Sequence, residues 1–241
     1  MANPAQSLPQ RSTLTVSPYP LKRDRHSSHL VIAALLGEGH GKRLLDVGAA
    51  QGDLAQLLTN QGYTVTALEG DPTLASMAQG KCNQVIVVDL DRPLPALSGP
   101  FDVILFADVL EHLKDPLRVL RGLAQQLKPE GIAVISVPNG AHLWVRLQLC
   151  LGRFEYAERG ILDRTHLRFF TLASFRRLLD QADLNILKLT ATPAPLPLVV
   201  PPRYHGWLLD AVHGFNARVS RSWKTMFAYQ FIALAGKRRA E

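Results

Sequence analysis

The chain has 241 residues, 47% of them hydrophobic and 20% charged, with a formal net charge of +7. That composition excludes an intrinsically disordered chain, and two cysteines without CxxC spacing exclude a disulfide scaffold or a cysteine zinc site. No apolar run reaches the ~20 residues of a membrane span, and residues 1–20 lack the charged-then-apolar order of a leader, so a cytoplasmic address is expected.

The charge is uneven. Residues 44–141 carry six basic against eleven acidic side chains, whereas the segments on either side are basic. Basic flanks suit a phosphate-bearing or otherwise acidic partner. No basic run interleaved with aromatics occurs, so no specific nucleic-acid partner is expected.

Residues 1–24, rich in proline and without apolar periodicity, read as a flexible arm. A short helix over 29–36 is stopped by Gly37. Strands follow at 43–47, 64–68, 84–88, 101–106 and 132–137. Between them lie a helix capped by Asp53, one opened by Asp71-Pro72 and one opened by Asp115-Pro116. Alternating strand and helix means βαβ units and a parallel sheet, here covered on both faces because strands such as 103–106 are continuously apolar. Residues 140–170 interrupt the rhythm with an apolar–basic stretch and a polar loop. Thr171 then caps a helix, and 184–189 form a strand. Five prolines in 193–202 forbid a continuous helix or central strand; a helix at 207–215 and a last strand at 226–234 complete the chain. The expected organisation is a core over 25–192 with an insertion near 140–170, followed by a proline-rich connection, a helix and a C-terminal edge strand over 193–241.

Three motifs carry chemistry. In LLDVGAAQG a strand ending at Asp46 turns through Gly48 and Gly52 into a helix, which allows backbone amides close to a ligand. Glu69 closes the next strand, where a carboxylate can accept both hydroxyls of a ribose. Asp89 closes the strand QVIVVD and can accept from an adenine amino group, or stand as a solvated turn residue.

These segments, with FDVILFADVLEHLKDP at 101–116, LKPEGIAVISVPN at 127–139 and DRTHLRFFT at 163–171, resemble the class I S-adenosylmethionine-dependent methyltransferases over about residues 28–190. The resemblance implies a doubly wound α/β fold with a mostly parallel seven-stranded sheet and an antiparallel last strand, with S-adenosylmethionine as cofactor. It places Gly48 and Gly52 under the cofactor's methionine end, with Asp46 holding the turn. Glu69 would take the ribose, Asp89 and Leu90 the adenine, and Asp108 would face the methionine end. The second glycine usual in that loop is Ala50 here. The acceptor expected is a small molecule or a lipid- or saccharide-linked one, methylated on O, N or C.

Methyl transfer asks chiefly for positioning and, for an oxygen acceptor, a base. His112 and His166 are the candidates, each with a structural role as its alternative. Glu111 and the arginines Arg164 and Arg168 are candidate substrate contacts, the arginines suited to an acidic group and equally to surface ion pairs. His26 and His29 lack a third ligand, and no metal is expected. Trp144, Arg146, Trp207 and Trp223 suggest a patch for peripheral membrane contact or for packing against the sheet or a partner subunit. Two other readings compete: an NAD(P)-dependent oxidoreductase, and a non-catalytic module of the same fold. Against the first stand GxxxG in place of GxGxxG and the absence of a Tyr-x-x-x-Lys pair.

Overall fold

Val47, Leu68 and Phe106 are fully buried near the ends of three adjacent strands, so the sheet can be built outward from them. A computed structural model describes residues 24–238. The expected flexible arm over 1–24 lies, but for its last residue, outside them. In chain order the strands are β1 (Arg43–Val47), β2 (Thr64–Glu69), β3 (Gln84–Val87), β4 (Phe101–Ala107), β5 (Leu127–Pro138), β6 (Leu184–Thr192) and β7 (Gln230–Lys237). They form a seven-stranded sheet in the order β3-β2-β1-β4-β5-β7-β6. The first five pair in parallel, and β7 runs antiparallel to both neighbours, β5 and β6. The strand expected at the edge is therefore an inner one. Its apolar run, Phe231–Ala233 and Ala235 all fully buried, explains why: such a strand needs cover on both faces. The more polar β6, with Asn185, Leu187 and Lys188 exposed, takes the edge instead.

Helix α1 (Ser28–Leu36) precedes β1; α2 (Asp53–Asn60) and α3 (Pro72–Ala78) follow β1 and β2, α4 (Pro116–Ala124) follows β4, and α5 (Leu143–Cys150) and α6 (Leu172–Gln181) both lie between β5 and β6. A single turn α7 (Leu196–Val199), the long α8 (Trp207–Ser222) and a turn α9 (Lys224–Phe227) precede β7. Two apolar layers result. Ile32, Leu54, Leu58, Leu44 and Val65 fill one face under α1 and α2. Leu120, Leu123, Phe175, Leu179 and Ile104 fill the other under α4 and α6, where the rings of Phe175 and Phe231 stack at 6.1 Å.

The helix starts follow their sequence signals. Asp71 caps α3 through the amides of Thr73 and Leu74, Asp115 caps α4 through Arg118, and Thr171 and Ser174 form a reciprocal capping box on α6. Helix α2 differs: Gly52 occupies the cap, with left-handed φ of 79°, and Asp53 is its first residue, paired to Lys81 Nζ at 2.6 Å. The expected Asp53 cap is thus replaced by a glycine turn, and the cap residue makes no side-chain hydrogen bond to the helix.

Candidate active site

In the observed strand order the chain steps outward from β1 through β2 to β3 and then returns to place β4 on the other side of β1, which makes the β1/β4 boundary a topological switch point. Ligands of open parallel sheets bind outside the strand ends at such a point. Most of the candidate residues gather there.

The turn after β1 is held by its neighbours. The amides of Gly48 and Ala49 both donate to the Leu68 carbonyl, at 2.8 and 3.0 Å. Gly48 has φ of +73°, and a Cβ on it would sit 2.6 Å from Val109 Cγ2. The loop after β4 therefore packs directly on the turn after β1, which only a glycine permits. Ala50, standing where the family's glycine is usual, adopts φ of 49°. It carries the left-handed strain that a glycine would avoid.

Two carboxylates flank this turn. Glu69 Oε2 accepts from the Ala50 amide at 2.7 Å and Oε1 from the Asp71 amide at 2.9 Å. The half-buried carboxylate is fixed in orientation, with a lone pair left on each oxygen. Asp46 is 2% exposed, and its Oδ2 has no hydrogen-bond partner among the described residues. Burial, with the Glu69 charge adding to it, pushes its carboxyl up to about 7. An orphaned buried oxygen, an oriented carboxylate and a close-packed glycine turn are what an adenosyl ligand with a positively charged end requires, so these residues fit S-adenosylmethionine.

Asp108 also has a positive φ, 55°. Its Oδ1 accepts from Ser136 Oγ at 2.6 Å, and its Oδ2 accepts from Gln230 Nε2 at 2.6 Å and from Ser28 Oγ at 3.3 Å. One side chain thus ties β4, β5, β7 and α1 together at the crevice. Ser136 and Gln230 were not singled out from the sequence, although each is a polar residue interrupting an apolar strand, in AVISV and YQFIA.

The acceptor side is built by a loop folding back. The Glu111 carbonyl accepts from the amides of Leu167 and Arg168, at 2.8 and 3.0 Å, pinning residues 163–168 onto the 3₁₀ turn Leu110–His112. The rings of His112 and His166 consequently meet edge to face at 4.9 Å. His166 Nδ1 lies 3.0 Å from the Ile161 carbonyl, which can only accept, so Nδ1 carries the proton. Burial, opposed by that hydrogen bond, lowers the His166 pKa and keeps the ring neutral at pH 7 with its lone pair on Nε2. Tyr229 joins this wall. Its hydroxyl lies 2.8 Å from where a Cβ on Gly160 would be, and burial raises its pKa.

Other candidates fall elsewhere. Asp89 lies two residues beyond β3 with a side chain 56% exposed, engaged by Arg92 at 3.4 Å. Leu90 beside it is buried, and its carbonyl accepts from Arg118. Arg164 pairs with Glu158 at 2.5 Å, the surface ion pair weighed against a substrate contact. Arg168 donates to the Lys114 carbonyl and so fastens the loop. Glu111 is 1% exposed, inside the wall rather than on the open surface.

A family model described as a methyltransferase domain matches residues 19–189. An enzyme named ubiquinone biosynthesis O-methyltransferase from a Caulobacter species is 34% identical over 133 residues, which cover 52% of each chain. Its namesake from Vibrio parahaemolyticus is 30% identical over 159 residues, 62% of this chain and 66% of its own. The chain thus spans about half to two thirds of the length of these relatives. A SAM-dependent methyltransferase from Archaeoglobus fulgidus superposes with a TM-score of 0.58 at 17% identity, covering 88% of this chain and 95% of that one. A Burkholderia thailandensis 1,6-didemethyltoxoflavin-N1-methyltransferase, solved with its substrate and S-adenosylhomocysteine, gives 0.55 at 19%, covering 88% and 76%. At these identities the likeness is one of fold.

Two predictions follow from the turn. Gly48→Ala should cost about 2–4 kcal/mol, from left-handed strain plus overpacking against Val109, read as a lower urea midpoint. A midpoint equal to the wild type would contradict the close approach. For Asp46, the unfolded chain gives up its proton near 3.8 and the folded chain near 7. Between those values the folded state binds more protons, so stability should fall as pH rises through this window. Asp46→Asn should remove that part of the slope in urea melts run at several pH values.

Proposed function

The chain belongs to the methyltransferase-domain family, and from that premise we propose that it transfers a methyl group from S-adenosylmethionine to an oxygen of a small acceptor carrying an apolar, lipid-like portion. The observation that carries the reading is the cradle at the switch point: the Glu69 carboxylate fixed by two amides beside the Gly48 turn and the buried Asp46.

The cofactor supplies an activated methyl on a positively charged sulfur, so the protein's work is binding, orientation and exclusion of water. Glu69 would hold the ribose hydroxyls with the lone pairs its amide contacts leave free. The glycine turn and the opening amides of α2 would line the methionine end, where Asp46, ionised on meeting a positive charge, would complement the ammonium. Asp108, immobilised by Ser136 and Gln230, would face the same end. Across the crevice the acceptor's hydroxyl would be activated at the His112–His166 pair, with Tyr229 beside it. The names of the relatives support oxygen as the accepting atom.

The apolar portion of the acceptor is favoured by the surface next to the site. Helix α5 buries only Val145 and exposes Trp144, Leu147 and Leu149. Helix α8 buries His213, Ala217 and Ser220 while Trp207, Leu208, Val212 and Phe215 face outward on its other side. The sequence alternative of packing on the sheet is not what these side chains do within the chain. Arg146, Arg203 and Arg218 are exposed along the same segments, a combination suited to an anionic membrane surface from which a lipid-linked acceptor is drawn. No helix among the described residues is long and apolar enough to cross a membrane.

Calorimetry with S-adenosylmethionine or S-adenosylhomocysteine should show saturable binding, and Glu69→Ala should weaken it about 10–100-fold through loss of charge-assisted hydrogen bonds. Binding of NAD instead would select the oxidoreductase reading, and binding of neither the non-catalytic one. Affinity unchanged in Glu69→Ala would remove the ribose assignment. In sedimentation with vesicles, the protein should pellet with anionic but not zwitterionic lipid, and Trp144→Ser combined with Trp207→Ser should release it. Equal recovery in the supernatant with both lipids would exclude the membrane contact.

A further inference from the structure

The loop after β3, residues 89–92, and the loop over the acceptor wall, residues 163–168, lie far apart in the chain. Both are nevertheless fastened to the segment 111–118 that follows β4. From the β3 side, Asp91 Oδ1 accepts from the Lys114 amide at 3.0 Å. Arg118 adds hydrogen bonds to the Leu90 carbonyl and, at 3.1 Å, to the Arg92 carbonyl. From the acceptor side, the amides of Leu167 and Arg168 donate to the Glu111 carbonyl at 2.8 and 3.0 Å, and Arg168 Nη2 donates to the Lys114 carbonyl. The backbone of Lys114 is therefore gripped at its amide by one loop and at its carbonyl by the other.

These grips matter because apolar packing does little to hold the acceptor loop. Asp163 and His166 are buried, but Arg164, Thr165, Leu167 and Arg168 are exposed, so the loop's place depends largely on hydrogen bonds. The Asp91 contact is likewise one with backbone. Its ion pair to Lys114 Nζ spans 3.8 Å with the lysine side chain 78% exposed, a geometry that adds little in water. Leu90, next to Asp91, is 8% exposed and carries the position expected for the cofactor's base.

We propose that Asp91 and Arg168 are positioning residues that couple the two loops through the backbone of Lys114, so that a cofactor whose base rests on Leu90 holds the acceptor loop closed. This deepens the methyl-transfer reading and rests on it. Opening the acceptor loop breaks the two bonds to Glu111 and the Arg168 bond together, and it becomes easier whenever Lys114 shifts. A base packed on Leu90 restrains residues 89–92. Asp91 then keeps the Lys114 amide in place, and the carbonyl of the same residue stays within reach of Arg168. The cost of ordering the loop is met when the cofactor binds, and an acceptor arriving later finds its wall already assembled. The expected order is cofactor first and acceptor second.

Hydrogen exchange of the full chain, read by mass spectrometry with and without saturating S-adenosylhomocysteine, tests the coupling. The amides of Leu167 and Arg168 report directly, since they make the bonds that opening breaks. In the wild type the ligand should slow exchange across residues 163–169 about 3–10-fold. Asp91→Ala and Arg168→Met each remove one grip on Lys114. In each the slowing should fall below about twofold, while calorimetry still shows saturable S-adenosylhomocysteine binding. Asp91→Asn keeps an oxygen facing the Lys114 amide and should retain the wild-type slowing. A direct touch of the ligand on the acceptor loop would not depend on Asp91 at all. Circular dichroism checks folding, and one folded variant of the Asp91→Ala and Arg168→Met pair is sufficient. A wild type that binds the ligand without slowing overturns the proposal. So does slowing undiminished in a folded Asp91→Ala or Arg168→Met, or slowing lost in Asp91→Asn as fully as in Asp91→Ala. Those results leave cofactor binding, and with it the methyl-transfer reading, in place. Absence of S-adenosylhomocysteine binding in calorimetry would instead remove that reading and the coupling together.

Discussion

The structure depends on a missing side chain. Gly48 has no Cβ because the methyl of Val109 occupies its place, 2.6 Å from where the atom would be. That contact sets the loop after β4 directly on the turn after β1. The same loop carries Asp108 at its start and Glu111 and His112 three to four residues on, so the approach at Gly48 fixes the distance between the Gly48–Glu69 side of the crevice and the His112 side. Reacting groups held in register from two adjacent strands are the main catalytic asset available to a methyl transfer, which draws its reactivity from the cofactor.

Much of this was legible in the sequence because its signals are local. Asp71-Pro72 and Asp115-Pro116 announce helix starts through cap chemistry that needs no partner beyond the next turn, and both caps form. The glycine turn and Glu69 were legible for a related reason: strand ends in a parallel sheet open on one side, so spacing alone places them together. What escaped was set by pairing distant in the chain. The insertion of β7 between β5 and β6 is a tertiary choice, made by two-sided burial rather than by any signal near residue 230. For the same reason Gln230 and Ser136, which hold Asp108, became visible as functional neighbours only once β7 lay beside β5. Asp89 lies beyond the reach of that spacing: β3 stops at Val87, and the carboxylate, half exposed, is engaged by Arg92.

The helices around residues 143–150 and 207–222 depart from the economy of the core. Elsewhere each helix hides its apolar stripe against the sheet, whereas α8 has a buried face of small and polar residues and an outward face of Trp207, Leu208, Val212 and Phe215. Its contact with the body is made through groups that tolerate close packing or hydrogen-bond, such as Ser220 to the Phe227 carbonyl and His213 to Asp24. Large aromatics left out of a core that could have used them are better explained by a partner phase than by folding. The exposed aromatics of these helices lie in the basic flanks, outside the acidic central block.

Burial acts on the two halves of the crevice with opposite sign. It raises Asp46 to about 7 and lowers His166, so near neutrality it favours the uncharged form of both groups. Desolvation thus keeps an acid and a base from spending their charge on each other or on water before a ligand arrives. A positively charged ligand beside Asp46 would supply the charge that burial withholds from it. The same burial that would weaken a site built from fixed charges is therefore what makes this one responsive to charged ligands.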